Sequence, residues 1–516
     1  MVEDELGVAG EVAVAVAEFA GDVTDFAAET ADKVGDVMED GWEAASDFGE
    51  EAWDSVSSGF GLWGSIDDAT VWFDTNNNGL FDSGESDTNT HADGSFTLVS
   101  PGVLDFSSGV VRLTGGVDTA TGLPIQGVMS ASSEGIVSPL TSLVQKLTED
   151  GRTSTAAQNR VRSAFGISEN VDLFEFNYVE ETLNENPNAR AVLVNANSVQ
   201  GIVSGIHNLL AGASGGTIDT QDAATSFILS NAAFSALSEL MDGSEVDLED
   251  PTVLAGVIRS SIVNSQTLAD ELGINLGLNE QEVEDIIEAA AKLLAAGVTK
   301  KRLLAEESED GIELLTRITQ AKYVSHGEEA TALNRLALGE MSVEEIEAIA
   351  EIDDAALEAI RQVKLNPQLA GMTDLNLAEG ESVEDLTITL FDFETSFDDL
   401  EISITSDNPE LLPAENVTLS PGELRHQALL SLSPLEGEGV VTLSISITDA
   451  DGNTITESYT VAIGDGENEE ETTEEEESTD EGESAGEEES DETEEGSADE
   501  GELSQEEESD ETEEGS

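Results

Sequence analysis

The spacing of apolar residues divides the chain into segments with different predicted structures. From Val23 to Val56, apolar side chains recur at steps of three, four or seven residues, the period of a helix with one apolar face. We therefore expect an amphipathic helical segment in residues 1–60. Because its other faces are acidic rather than basic, we expect this helix to pack on its own protein or on a partner rather than on a membrane surface.

Residues 148–363 also show mainly the helical period, most clearly in residues 280–294. Ser342 and Glu345 have the spacing of a capping box, which predicts the start of another helix. Residues 191–217 contain no charged side chain, but polar residues interrupt them. We therefore expect a buried helix of a soluble fold there rather than a membrane span.

Residues 365–464 change to an alternation of apolar and polar positions in six or seven short segments. Turn signals such as Asn408-Pro409 and Asp451-Gly452 separate these segments, and the pattern predicts a β-sandwich. Residues 465–516 are rich in Glu, Ser, Asp, Thr and Gly and contain no aromatic residue. They cannot bury enough apolar surface to offset the loss of chain entropy, so we expect a disordered acidic tail.

Residues 74–85 match the twelve-residue calcium-loop pattern, in which oxygen-bearing side chains recur at alternate positions. Gly79 stands at the sixth position, where the chain must turn sharply. A hard cation prefers six or more oxygen ligands, and one short loop of this pattern can supply them. The predicted calcium ligands are Asp74, Asn76, Asn78, the carbonyl oxygen of Leu80, Asp82 and Glu85.

An Asn- and Gly-rich turn between strands is the alternative explanation of this loop, and it needs no metal. Asp82 and Glu85 favour calcium, because turn geometry alone does not require carboxylates at those offsets. Three carboxylates and two neutral amides predict a weak site, with a dissociation constant of roughly 10⁻⁵ to 10⁻³ M, as in extracellular modules.

The residues around the loop predict strands rather than the two helices of an ordinary EF-hand. Residues 69–73 are largely β-branched and aromatic, residues 90–95 carry a turn signal, and residues 96–99 predict another strand. Too few residues separate these elements to form a flanking helix. We therefore expect a calcium loop built into a β-module.

These residues resemble the calcium-binding B-type repeats of bacterial surface proteins. The resemblance covers roughly residues 64–147, and residues 114–118, 120–124 and 137–141 are similar to segments beside such modules in large secreted bacterial adhesins. It implies a small β-sandwich stiffened by calcium. The family often has Asp where Asn76 or Asn78 stand, which bears on the affinity. The resemblance is carried by Val71-Trp72-Phe73-Asp74, the loop through Glu85, and Thr90 with Asp93-Gly94-Ser95-Phe96.

Residues 405–413 and 447–453 resemble a cadherin-like or immunoglobulin-like module of bacterial surface proteins, over most of residues 365–464. Cadherin-type modules bind calcium at their junctions through acidic motifs. By that resemblance, Asp392-x-Glu394 and Asp449-x-Asp451 are candidate calcium-binding motifs. A hairpin turn at Asp451-Gly452 explains the second motif without metal.

The chain has 113 acidic and 18 basic residues, a formal net charge of −95, and no cysteine. Without the 29 acids of residues 465–516, 84 acidic and 18 basic residues remain, so the folded part is acidic too. This charge disfavours nucleic acid and anionic membranes and attracts divalent cations. The absence of cysteine excludes disulfides and zinc–thiolate sites. The one dense basic cluster, Lys300-Lys301-Arg302, is expected to be a solvated helix face.

No zincin pattern, nucleophile elbow, Walker loop or dinucleotide fingerprint occurs in the chain. We therefore expect a protein that is not an enzyme. His207 lies on an apolar stretch and is expected to be a core or helix-face residue. The N-terminus shows no ordinary signal peptide, so export would use another route or the chain would be internal to a longer one.

The sequence thus predicts a multidomain α+β protein. Its segments are an amphipathic helix (1–60), a calcium-binding β-module (64–147), a mainly helical domain (148–363), a cadherin/Ig-like β-sandwich (365–464) and a disordered acidic tail (465–516).

We expect a secreted or cell-surface structural or adhesion protein, bacterial by resemblance, whose β-module is rigidified by calcium. Its expected partners are calcium and other cell-surface or matrix components, with no nucleic acid and no transmembrane segment. One alternative is an acidic protein that interacts with cations, mineral or a partner through its tail. A third hypothesis is a hydrolase in the helical middle.

Overall fold

A computed structural model describes residues 55–61, 66–100, 109–132, 135–215, 222–241, 245–278, 280–372, 374–422 and 424–464. Helices and antiparallel sheets both occur among these residues, which confirms the predicted mixture of α and β structure. The predicted tail and most of the predicted N-terminal helix lie outside the described residues.

The end of the predicted N-terminal helix is wrong, because Ser55–Gly61 forms a strand, β1. This strand pairs antiparallel with β5 (Ser95–Ser100) and parallel with β9 (Gly135–Val137). Its sequence, SVSSGFG, is rich in serine and glycine, which are weak helix formers. Pairing on both edges therefore prevails over the helical spacing that included Val56.

The β-module holds its strands in small sheets. One sheet has the order β4-β3-β6-β8, a second has β5-β1-β9, and β2 pairs with β7. The remaining strands of the module are β2 (Ile66–Asp67), β3 (Thr70–Asp74), β4 (Asp87–Asn89), β6 (Val110–Thr114), β7 (Val117–Asp118) and β8 (Val128–Ala131).

Strands β3, β6 and β8 are buried on both faces, unlike strands of a sheet with one face in water. Val71 and Phe73 point into the core of the module. Trp72, on the other face, packs with Val128 and Phe227, and Phe227 belongs to the helical domain. The helical domain therefore covers the second face of this sheet.

The helical domain follows the module in sequence. Its first helix begins at Pro139, inside the segment assigned to the β-module, because Ser138 and Thr141 form a capping box and proline suits the first turn. The helices are α1 (Pro139–Glu149), α2 (Ser154–Ala164), α3 (Tyr178–Leu183), α4 (Ala189–Ala213), α5 (Ala223–Glu239), α6 (Pro251–Leu272), α7 (Glu280–Glu307), α8 (Gly311–Tyr323), a π-helical turn (Val324–Glu329), α9 (Ala330–Ala337), α10 (Val343–Ile349) and α11 (Asp354–Arg361).

Helix α4 is the centre of the helical domain. It is buried around most of its circumference and contacts α5, α7 and α9, which explains the long stretch without charge. His207 on this helix is a buried core residue, as predicted, and burial lowers its pKa to about 4. Within the described residues, no helix combines the length and apolar character needed to cross a membrane.

The basic cluster is not the solvated face that the sequence predicts. Lys300 and Lys301 are 4% and 1% exposed, respectively. Lys300 Nζ lies 2.9 Å from Glu329 Oε1, and Lys301 Nζ donates to Ser325 Oγ at 2.9 Å. The partners come from the π-helical turn, which sequence spacing does not reveal. Only Arg302 reaches solvent among the three residues, and it pairs with Glu249.

Residues 368–463 form the predicted β-sandwich. Its two four-stranded sheets have the orders β10-β12-β15-β14 and β11-β17-β16-β13, and their inner faces share one core. Buried and partly exposed positions alternate strictly along β16 from Val441 onwards. The strands are β10 (Gln368–Ala370), β11 (Leu375–Leu377), β12 (Val383–Phe391), β13 (Glu401–Ser406), β14 (Val417–Pro421), β15 (Gln427–Leu432), β16 (Gly439–Thr448) and β17 (Thr454–Ile463).

The connection between α11 and β10 is packed against the β-module. Leu365 is fully buried in the helical core. Asn366 donates its backbone N–H to Ala120 O at 2.9 Å and its side-chain amide to Thr119 O at 3.1 Å. Gln368 accepts a hydrogen bond from Thr119 Oγ1. The sandwich is thus fastened to the β-module as well as joined to the helical domain.

Candidate metal site

The loop that follows β3 is wound by its own side chains. Asp74 Oδ2 accepts the N–H of Gly79 at 2.7 Å, Asn76 Oδ1 accepts that of Asn78 at 3.0 Å, and Asn78 Oδ1 accepts that of Leu80 at 2.8 Å. The side chains at loop positions 1, 3 and 5 therefore hold the backbone of positions 5, 6 and 7. Gly79 has φ +81°, which a residue with a Cβ rarely adopts.

Glu85 closes the loop. Its Oε1 accepts the N–H of Thr75 at 2.8 Å, and its Oε2 accepts the N–H of Asp82 at 3.0 Å. The carboxyl group of the last predicted ligand thus lies beside the residue that follows the first. The two ends of the loop meet rather than lying along an extended ribbon.

The remaining predicted ligand, Asp82, faces the two asparagines. Its Oδ2 accepts hydrogen bonds from Asn76 Nδ2 at 2.8 Å and from Asn78 Nδ2 at 2.7 Å. The carboxylates of Asp74, Asp82 and Glu85 are therefore each satisfied by a different set of donors. Across the described part of the chain, no three Asp, Glu or His side chains gather as a group that could hold a metal ion.

The chemistry of this loop nevertheless fits a hard cation such as calcium. Carboxylate, amide and carbonyl oxygens are the ligands that calcium prefers, and the loop closes on itself. If the side-chain amides of Asn76 and Asn78 flipped, their oxygens instead of their nitrogens would face Asp82. The backbone would not have to move. The loop can thus offer its oxygens to a cation at the cost of hydrogen bonds made within it.

Sequence reasoning missed Arg112, the residue that fixes the first predicted ligand, Asp74. Arg112 lies on β6 and is 3% exposed, and its Nε lies 2.6 Å from Oδ2 of the fully buried Asp74. Its Nη2 donates to Asn77 Oδ1 at 2.7 Å. The signal in the sequence was a lone arginine in the apolar run Val-Val-Arg-Leu-Thr, since a buried base needs a buried acid.

Phe227 of helix α5 is the second residue that sequence reasoning missed. A Cβ at Gly79 would lie 1.9 Å from Phe227 Cζ, so the ring packs directly on the backbone of the loop. The guanidinium of Arg112 lies over the same ring, 5.1 Å from its centroid. Only glycine fits the sixth loop position here, because of both its φ and the aromatic ring above it.

The two acidic motifs of the sandwich, Asp392-x-Glu394 and Asp449-x-Asp451, lie where the sandwich meets the helical domain. Asp449 Oδ1 accepts the N–H groups of Asp451 and Asn453 at 2.9 and 2.8 Å, which are the contacts of a hairpin turn. Asp451 pairs with Lys364 at 3.0 Å. Burial, and then the charge of Asp392, raise the pKa of Glu394 to about 7. The turn alone explains the conformation of the Asp449 motif.

No protein-family model matches the sequence, and a comparison with curated proteins finds no related protein. The site is therefore interpreted from its own residues.

Proposed function

We propose that the chain is a secreted or cell-surface structural or adhesion protein whose β-module is rigidified by calcium at residues 74–85. One observation carries the proposal. Side chains of the loop accept hydrogen bonds from its own backbone, and Glu85 closes the loop by accepting the N–H of Thr75. A turn needs neither this closure nor the acids that supply it. In this proposal the protein is not an enzyme.

Asp74, Asn76, Asn78, Asp82, Glu85 and the Leu80 carbonyl would hold the ion. Calcium supplies two positive charges, which compensate carboxylates that otherwise depend on internal donors. A ligand that binds only the folded state stabilises it by RT ln(1 + [L]/Kd), about 2.7 kcal/mol when calcium is about a hundred times Kd. A site of the affinity that the loop sequence predicts would saturate outside cells rather than in the cytosol, so the proposal places the protein outside the cell.

Thermal unfolding of the full chain tests this function. The midpoint should rise when calcium replaces a chelator, and magnesium should have a smaller effect because it requires strict octahedral geometry. Glu85→Gln should abolish most of the rise. Asp87→Asn is the matched control, since Asp87 is an exposed acid on β4 just outside the loop. Identical midpoints with calcium and with chelator would contradict the proposal.

The full chain is needed for this measurement because the second face of the β-module lies against the helical domain. Deleting residues 465–516 separates the main alternative, in which the acidic tail collects cations or binds a partner. If the rise of the midpoint with calcium survives the deletion and disappears in Glu85→Gln, the loop is the site. If it disappears with the tail, the alternative is correct.

The hydrolase hypothesis finds some support in the contact between Lys301 and Ser325 of the helical domain. Lys301 Nζ donates to Ser325 Oγ at 2.9 Å, and burial lowers the pKa of Lys301 to about 8. A lysine of this kind can activate a serine. Lys301 and Ser325 are only 1% and 6% exposed, so a substrate would not reach them in this conformation. We therefore favour a structural role for this pair.

A further inference from the structure

We infer that Arg112, on the neighbouring strand β6, is a counter-cation for the metal loop, which satisfies Asp74 in the absence of calcium and weakens the binding of calcium. This inference rests on the proposed function, since it concerns the same loop. It is carried by the burial of the pair, by the contacts of the guanidinium, and by the position of Phe227.

The burial of Asp74 makes a counter-cation necessary. Its carboxylate is fully buried, and an isolated buried carboxylate is strongly unfavourable. Arg112 Nε lies 2.6 Å from Oδ2, which also accepts the N–H of Gly79, while among the residues that the structure describes Oδ1 accepts only the N–H of Asn78 at 3.2 Å. Oδ2 is thus committed to Arg112 and Gly79, and a metal would have to take Oδ1, which holds the longer hydrogen bond from Asn78.

The guanidinium is held in this place by contacts on every side. Nη2 donates to Asn77 Oδ1 at 2.7 Å and Nη1 donates to Ser130 Oγ at 3.0 Å. Glu149 Oε1 of helix α1 lies 3.6 Å from Nη2, and the ring of Phe227 covers the guanidinium plane. Arg112 therefore cannot swing away from Asp74 without breaking contacts with the β-module and with two helices.

Calcium and Arg112 consequently compete for the charge of the same carboxylate. A calcium ion on Oδ1 would place a second cation within a few ångströms of the guanidinium, and at that range like charges repel strongly in a buried setting. In the metal-free state the same guanidinium compensates the buried carboxylate of Asp74. Arg112 thus stabilises the metal-free loop more than the calcium-bound loop.

The effect of removing Arg112 follows from this difference. Arg112→Gln should destabilise the metal-free protein more than the calcium-bound protein, because calcium can still compensate Asp74. By thermodynamic linkage, the variant should bind calcium more tightly, on the order of tenfold. Its unfolding midpoint in chelator should fall, and the difference between the midpoints with and without calcium should widen.

The experiment is calorimetric titration of the full chain with calcium, together with thermal unfolding in calcium and in chelator. Lys146→Gln is the matched control. Lys146 pairs with Glu149 at 3.1 Å, so the variant removes one positive charge from the same neighbourhood without a contact to Asp74. We expect Lys146→Gln to change the calcium affinity less than about twofold, because the charge of Lys146 is paired with Glu149 and screened by solvent and salt.

Arg112→Lys keeps the charge and loses the forked hydrogen bonds, and it serves if Arg112→Gln does not fold. Its calcium affinity should stay near that of the natural chain, since repulsion depends on charge. A tenfold gain in affinity in Arg112→Lys would overturn the inference, as would an unchanged or weaker affinity in Arg112→Gln.

The outcomes also separate this inference from the proposed function. Calcium binding by the natural chain without a gain in Arg112→Gln overturns only the role of Arg112. Binding by Arg112→Gln alone supports that role and contradicts a calcium-loaded natural protein. Absence of binding in both proteins overturns both statements.

Discussion

The β-module and the β-sandwich are both built from short antiparallel strands, but they bury those strands differently. In the module, Thr70–Asp74 is buried at every position after the first, because helices cover the second face of its sheet. In the sandwich, buried and partly exposed positions alternate from Val441 to Thr448, because the outer face meets water. The module therefore shares its stability with the helical domain, and the sandwich has a core of its own.

The largest expected effect comes from breaking a buried ion pair that joins the module to the helical domain. Lys322 of helix α8 pairs with Asp118 of β7, and the two side chains are 3% and 0% exposed. Removing one partner of a buried pair typically costs about 3–5 kcal/mol, because the other charge stays buried. We expect Lys322→Met to destabilise the module and the helical domain together. Hydrogen exchange with peptide resolution should show faster exchange in both and unchanged exchange in the sandwich.

Leu443→Ala provides the reverse experiment, because Leu443 is fully buried in the sandwich core. It should cost about 2–5 kcal/mol and accelerate exchange in residues 374–463 alone. If both variants accelerate exchange everywhere, the two regions unfold as one unit and the contrast between them is wrong.

A smaller effect is expected where the two regions face each other. Burial, and then the charges of Asp67 and Asp93 of the module, raise the pKa of Glu457 on β17 to about 7, against 4.5 in a free side chain. The folded state therefore binds this proton more tightly than the unfolded state does. Its stabilising contribution is complete below about pH 4.5 and is lost as the pH rises to about 7.

Glu457→Gln should accordingly flatten the dependence of the unfolding midpoint on pH between 5 and 7, on the order expected for one titrating group. The comparison is with the natural chain, in which Glu394 titrates in the same range. An unchanged slope in the variant would mean that Glu457 does not contribute to the contact between module and sandwich.

The smallest effect is expected on the outer face of the sandwich. Ser446 and Thr456 face each other across β16 and β17, with their hydroxyl oxygens 2.8 Å apart and exposed to solvent. Ser446→Ala should change the free energy of unfolding by less than about 0.5 kcal/mol, as at most surface positions. Urea denaturation measures it, and a cost above about 2 kcal/mol would show that this face is covered, as the second face of the module is.

The sequence predicts what depends on neighbouring residues in the chain. The alternation in residues 365–464, the helical period in 148–363 and the capping box of Ser342 and Glu345 each lead to the observed element. The calcium-loop pattern likewise leads to a closed loop, because its hydrogen bonds span at most ten residues, while calcium binding by the six predicted ligands stays a prediction.

The sequence does not predict what distant residues decide. Arg112 meets Asp74 across 38 positions, and Lys300 meets Glu329 through a π-helical turn. Ser55–Gly61 is a strand because it pairs with β5 and β9, and the spacing of apolar residues within the segment does not predict that pairing. In each case a tertiary contact outweighs the local pattern.

The fastening of residues 365–368 has a mechanical consequence. A protein displayed on a surface and pulled from its C-terminal side would bring tension to this connection as soon as the sandwich was loaded. The hydrogen bonds of Asn366 to Ala120 and Thr119 would then resist first, because they lie next to the loaded chain. The force would pass into the β-module through these bonds. The buried ion pair between Asp118 of β7 and Lys322 of helix α8 would then hold the loaded module on the helical domain.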